Sequence, residues 1–259
     1  MVQNNHVIKV AITGNTKLTL ESMKMISDLG KFEILYVFGL PDDKLNSKVN
    51  SVKLDSFCEE NKIVLDKTSE WQNCLEFCER NKIDLIITLG DSRIVPKSIT
   101  SKFEVIGNHG AILPDVQGGA SLVWGRMLES CEWGVSIMRI ENRVDSGEIL
   151  KTKKFTYTPY TTEQGFVREA DSLTVEALRE VLLGDCEPSQ NKLWDVRISK
   201  GTDSYKVYQI FKYCRENRLN IYLPPRVPKD GVINKEWPDD FKVKFKKACN
   251  KPYPKWKEE

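Results

Sequence analysis

Three short, mostly apolar runs, at 7–12, 34–38 and 85–87, the first rich in β-branched residues, are separated by segments whose apolar residues recur at helical spacing. A continuous apolar run has no polar face to turn to water, so it must be covered on both sides, as in a parallel sheet flanked by helices. The first run closes at Gly14, and Met23, Ile26 and Leu29 then mark one helical face before a glycine stop at Gly30. Helices are predicted over 51–60 and 71–80, where Leu75 and Cys78 share a face, with a strand at 63–65 between them. Strands alternating with helices imply parallel pairing, because each crossover needs a connecting helix.

The second half continues the pattern. A strand at 103–106 leads into the glycine-flanked loop Gly107-Asn108-His109-Gly110, and the turn Gly118-Gly119 feeds a helix over 120–128. Strands are expected at 135–140 and 149–157. Over 164–183, Phe166, Val167, Ala170, Leu173, Ala177, Leu178 and Val181 make a broad helical face that stops at Gly184. The expected fold is α/β, an open, mostly parallel, doubly wound sheet of Rossmann-like type. Its catalytic domain is expected to span residues 1–190, with a small extension at 191–259 packed on it. That extension predicts a short strand near 193–198, a helix near 203–217 and a Pro- and Lys-rich tail whose Trp237 and Trp256 need a docking surface.

Composition excludes several classes. Of the 259 residues, 40% are apolar and 29% charged, which suits a globular chain rather than a fibrous or disordered one. No apolar run reaches membrane-spanning length and the start lacks a signal-peptide pattern, so a soluble, cytoplasmic protein without membrane association is expected. The seven cysteines are scattered and lack CxxC pairing, which predicts reduced buried thiols and no metal. Residues 192–259 hold 17 Lys and Arg against 9 Asp and Glu, a net of +8, leaving −6 for the rest. A basic tail suits a diphosphate or nucleic acid, or is simply a solvated surface.

Only two histidines are present, and His6 lies at the amino terminus. His109 follows the carboxyl end of an expected buried strand, where open α/β sheets place their ligand crevices. Asp145, in the turn-like Arg143-Val144-Asp145-Ser146-Gly147, either caps that turn or partners the histidine. A carboxylate beside an imidazole raises its basicity and fixes its tautomer, as acid/base chemistry on an amine requires. The turn Thr13-Gly14-Asn15-Thr16 has neither dinucleotide nor P-loop spacing, and no metalloprotease motif or serine elbow occurs.

The stretch from Asp84 to Leu150 resembles the folate-dependent formyltransferases, which act on glycinamide ribonucleotide, methionyl-tRNA or nucleotide sugars. Their loop Asn-x-His-x-Ser-Leu-Leu-Pro corresponds to Gly107-Asn108-His109-Gly110-Ala111-Ile112-Leu113-Pro114, followed by Gly118-Gly119 and Asp145-Ser146-Gly147. The segment from Leu89 to Pro96 resembles the one whose backbone holds the pterin ring. A weaker likeness runs from residue 7 to about 185. One departure stands out: the family's asparagine precedes the histidine by two residues, where this chain has Gly107, and Asn108 stands immediately before His109.

The resemblance implies transfer of a formyl group from 10-formyltetrahydrofolate, as co-substrate, to a primary amine. His109 and Asp145, with Asn108, are the implied catalytic residues: His109 hydrogen-bonds the tetrahedral oxyanion or takes the amine's proton, and Asp145 orients it and relays protons. A positioned acid/base group contributes about 10²- to 10⁴-fold. Leu89, Ser92, Arg93, Ile94 and Val95 would line one side of the pterin pocket, and Arg139, Ile140, Asn142 and Val144 the other. The length beyond residue 190 most resembles that of the sugar N-formyltransferases. The implied acceptor is therefore an amino sugar on a nucleoside diphosphate, its base stacked on Tyr205 or Trp194, with a homodimer as the assembly and nucleic acid disfavoured. Another amine acceptor, glycinamide ribonucleotide or methionyl-tRNA, is one alternative. A catalytically degenerate folate- or nucleotide-binding module is the other.

Overall fold

A computed structural model describes residues 7–45, 49–128, 132–158, 160–250 and 255–258, so that His6 and Cys131 lie outside the described residues. The chain opens with β1 (Ile8–Thr13), α1 (Lys17–Asp28), β2 (Phe32–Phe38), α2 (Asp42–Leu45), α3 (Asp55–Glu60), β3 (Val64–Asp66), α4 (Trp71–Asn81) and β4 (Leu85–Thr88). It continues through α5 (Lys97–Thr100), β5 (Glu104–His109), β6 (Val116–Gly118), α6 (Ser121–Leu128), β7 (Glu132–Arg139), β8 (Ile149–Thr156) and α7 (Glu163–Leu182). Beyond these lie β9 (Val196–Arg197), α8 (Ser204–Glu216), β10 (Ile221–Leu223), β11 (Val232–Ile233), α9 (Asp239–Ala248) and β12 (Lys257–Glu258).

The main sheet has the order β3-β2-β1-β4-β5-β7-β8. Its first five strands are parallel, as the continuous apolar runs require, and β7 and β8 extend it antiparallel. Helices cover both faces. Met23 and Ile26 of α1 and Ala177 and Leu178 of α7 pack with Val10, Ile12 and Ile87 on one face. On the other, Cys74 and Cys78 of α4 and Ile99 of α5 pack with Ala11, Ile86 and Val105. The Cys74–Cys78 spacing thus serves core packing.

The chain past residue 190 contributes to a third cluster, in which Phe211, Trp237, Phe241 and Phe245 pack with Trp124, Met127 and Trp133. Two elements here differ from the sequence expectation. The glycine turn before α6 is itself a strand: β6 pairs in parallel with β10, Val116 opposite Ile221, and β9 adds to the other side. The Lys-rich tail contains the helix α9, which buries Phe241, Phe245 and Ala248 on one stripe and leaves its lysines outward. Trp237 is buried, as its bulk demanded, and Trp256 packs against the same cluster.

Trp133 ties this third core to the main sheet. Its indole N–H donates to Gly110 O at 2.8 Å, one residue past the end of β5. Its ring lies flat on Gly125 of α6, where an added Cβ would stand 2.5 Å from Cε2. Gly125→Ala must therefore displace the indole. Overpacking of this kind costs about 1–3 kcal/mol, to be seen as a lower urea midpoint with an unchanged slope.

Candidate active site

His109 is the last residue of β5 rather than part of the following loop, and it pairs with Ser136 of β7. The imidazole is buried, with Nδ1 3.4 Å from Asp145 Oδ1 and Nε2 2.9 Å from Val116 O. Asp145 Oδ2 in turn accepts the Gly118 N–H at 2.7 Å. The 36-position separation of histidine and aspartate is thus closed by β6 and by the loop after β7, which returns over the sheet. A neutral imidazole donates through one nitrogen, and donating to both acceptors requires the imidazolium. With Nε2 facing the Val116 carbonyl, Nδ1 is the nitrogen that faces the Asp145 carboxylate.

Asn108 points the other way. Neighbouring side chains on a strand face opposite sides, so Asn108 projects towards α1 and α7 while His109 projects under β6. Its Oδ1 accepts the Gly90 N–H at 3.0 Å. Asn108 lines a cavity of about 770 Å³ together with Thr16, Gly90, Ser92, Asp171 and Arg226. Gly110 lines the same cavity, so the two residues flanking His109 belong to its wall.

Gly107 leaves no room for the asparagine that the resemblance would place there. A Cβ at this position would stand 2.6 Å from Thr88 Cγ2 and 2.8 Å from Ile140 Cδ1. Ile140 fills the space that a longer side chain would take.

The other residues singled out from the sequence fall into three groups. Val95 and Ile140 pack into one cluster with Val105, while Ile94 and Val144 are 71% and 43% exposed. Ile94 and Val144 thus stand exposed on the two segments that carry Val95 and Ile140. Arg93, Arg139 and Asn142 are already engaged. Arg93 bonds Asp91, donates to Phe38 O and Gly39 O at 2.7 Å each, and lies 4.0 Å over the Phe38 ring. Arg139 pairs with Glu104 and with Glu148, the latter at 2.9 Å, and Asn142 Oδ1 accepts the Thr100 hydroxyl at 3.3 Å. Leu89 is buried among the residues facing α1, its N–H donating to Thr13 O and its carbonyl accepting the Thr19 hydroxyl.

Trp194 and Tyr205 line no part of the cavity. Trp194 packs on Tyr222 at 4.8 Å, and Tyr205 on Phe241 at 5.0 Å.

Asp171 of α7 belongs to the cavity wall but was not singled out from the sequence. A signal was present: it falls four residues after Val167 and seven before Leu178, on the apolar stripe of its helix. Burial, reinforced by the nearby Glu21 carboxylate and opposed by Lys17, pushes its carboxyl up to about 7. The folded chain therefore binds more protons than the unfolded chain between the ordinary 3.8 and about 7, and stability falls as pH rises through that window. Asp171→Asn should flatten this fall and raise the unfolding midpoint above the window, measured by thermal unfolding across pH. An unchanged slope would show that the carboxyl titrates normally.

Residues 8–182, more than half of the chain, match the family described as Formyl transferase. A curated methionyl-tRNA formyltransferase from Mycoplasma mycoides is 23% identical over 145 residues, covering 54% of this chain and 46% of its own length. The chain spans about half to three-fifths of the length of the first such relatives. A sugar N-formyltransferase from a Shewanella species superposes with a TM-score of 0.66 at 12% identity, over 98% of this chain and 93% of that one. An N-formyltransferase from Helicobacter canadensis, solved with folinic acid and dTDP-3-aminofucose, gives 0.61 at 16% identity, over 93% and 80%.

Proposed function

Because the chain belongs to the formyl transferase family, we propose that it moves the formyl group of 10-formyltetrahydrofolate to the primary amine of an amino sugar carried by a nucleoside diphosphate. The observation that carries this reading is the 3.4 Å approach of His109 to Asp145, at a strand end whose neighbouring residues wall a large cavity. 10-Formyltetrahydrofolate supplies an activated one-carbon group; the rest is proton handling by the chain. An attacking amine must lose a proton, and the departing nitrogen must gain one. His109 holds that proton at Nδ1, and Asp145 keeps the imidazole oriented through its second oxygen's bond to Gly118 N–H. Asn108, held through Oδ1 by Gly90, has its amide N–H groups to offer to the acceptor side.

Val95, Ile140, Ile94 and Val144 would hold the pterin by apolar contact. Arg226, Lys255 and Lys257 bring positive charge to the cavity wall, which suits a diphosphate. The Shewanella and Helicobacter proteins, matched over most of both chains, support the sugar acceptor. A second reading has its own support: the curated relatives are methionyl-tRNA formyltransferases, and the net +8 of the last 68 residues suits a polyanion.

One assay separates them. The protein is incubated with 10-formyltetrahydrofolate and, separately, with dTDP-, UDP- and GDP-linked amino sugars and methionyl-tRNA, and each product is weighed for the gain of one CO. Formylation of a nucleotide sugar alone is expected. Formylation of methionyl-tRNA alone establishes the second reading, and folinic acid binding without turnover of any acceptor overturns both. Restoring the family's asparagine should not improve the enzyme: Gly107→Asn is expected to lower the transfer rate and destabilise by about 1–3 kcal/mol. Adding Ile140→Ala, which vacates the space, should recover part of that stability in urea unfolding.

A further inference from the structure

The aspartate depends on a residue outside the family-matched stretch. Asp145 sits at φ 50°, a conformation that a non-glycine side chain keeps only where its surroundings impose it. Two of the loop's carbonyls converge on a single amide: Asn191 Nδ2 donates to Asp145 O at 2.9 Å and to Gly147 O at 3.2 Å. The other end of that amide is held as well. Fully buried Gln117 donates through Nε2 to Asn191 Oδ1 at 3.1 Å and to Lys192 O at 2.7 Å. The next residue of β6, Gly118, is the one whose N–H binds the Asp145 carboxylate.

The segment carrying Asn191 is anchored to the sheet. Glu187 N donates to Leu150 O, and Ser189 exchanges both backbone bonds with Ile149. The chain leaving α7 thus runs beside β8 before turning Asn191 under the loop.

We infer that Asn191, oriented by Gln117, is a positioning residue that holds the Asp145 loop so that its carboxylate faces His109. The inference rests on the reading of His109 and Asp145 as the reacting pair. The Asp145 carboxylate and the Asn191 amide are both held from β6, by Gly118 N–H and by Gln117, so a shift of Asn191 frees the loop backbone while leaving the Gly118 bond to retain the side chain. The amide is required in kind: a carboxylate at residue 191 has no N–H to give either carbonyl.

The imidazole itself reports the contact. The only other histidine is His6, so in the full chain labelled with 15N-histidine the His109 ring signals are assigned by comparison with His6→Gln. Asn191→Ala and Asn191→Asp should both move the His109 ring resonances towards their position in Asp145→Ala. In the double variant with Asp145→Ala, Asn191→Ala should add nothing, since it acts through that carboxylate. A lowered unfolding midpoint with His109 signals unmoved would overturn the inference and leave Asn191 a stabilising residue alone. The unmutated protein gives an independent check that needs no variant to fold. The Asn191 side-chain N–H pair should exchange slowly with solvent, and exchange as fast as that of an exposed asparagine would overturn the clamp. Full formyl transfer by Asp145→Ala would instead remove the functional reading while leaving the clamp to be judged by the imidazole signals.

Discussion

The contact between His109 and Asp145 exists only because the sheet changes direction beside it. Five parallel strands deliver β5 with its carboxyl end at the edge of the parallel array. The antiparallel β7 then carries the chain back along β5, from Ser136 opposite His109 to Arg139 opposite Ile106. The loop that follows must retrace that distance over the sheet face for Asp145 to reach the imidazole. Its base is closed by the bond from Arg139 N–H to Glu148 O, and its Asp145 carboxylate is held by the Gly118 N–H of β6. A pair built this way is inherited from the fold, and the chemistry follows from its placement.

The strand end also divides the labour between two faces. On one face Asn108 opens onto the large cavity beside α1 and α7. On the other, His109 lies under β6 with Gly107 packed tightly against Ile140. The side that opens onto the cavity and the side that holds the His109–Asp145 pair are separated by one peptide plane.

The fold was legible where burial dictates pattern. Residues 10–12, 34–38 and 85–87 are apolar without interruption because both faces of their strands are covered, and the His109–Asp145 pair was reached through the order of three motifs in the family resemblance. What could not be read has physical reasons. The partnership of β6 with β10 spans more than 100 residues and leaves only a three-residue strand of ordinary composition. In α9 the stripe Phe241, Phe245 and Ala248 was present, but four lysines on the remaining positions obscured it. The single-residue displacement of the asparagine was visible in the sequence, but where its side chain goes was not, and the structure supplies the reason an asparagine does not fit at residue 107: Ile140 occupies the place. Asn191 carries no local signal at all, because an asparagine in a polar segment becomes functional only through the carbonyls the fold brings to it.

The central claim is that His109 and Asp145 act as one unit in formyl transfer, and a double-mutant cycle on the transfer rate tests it most directly. With an accepted amine, His109→Ala and Asp145→Ala should each lower the rate by about 10² or more, and the double variant should be no slower than the slower single one. Losses that multiply in the double variant, or either single variant transferring at the unmodified rate, would contradict it.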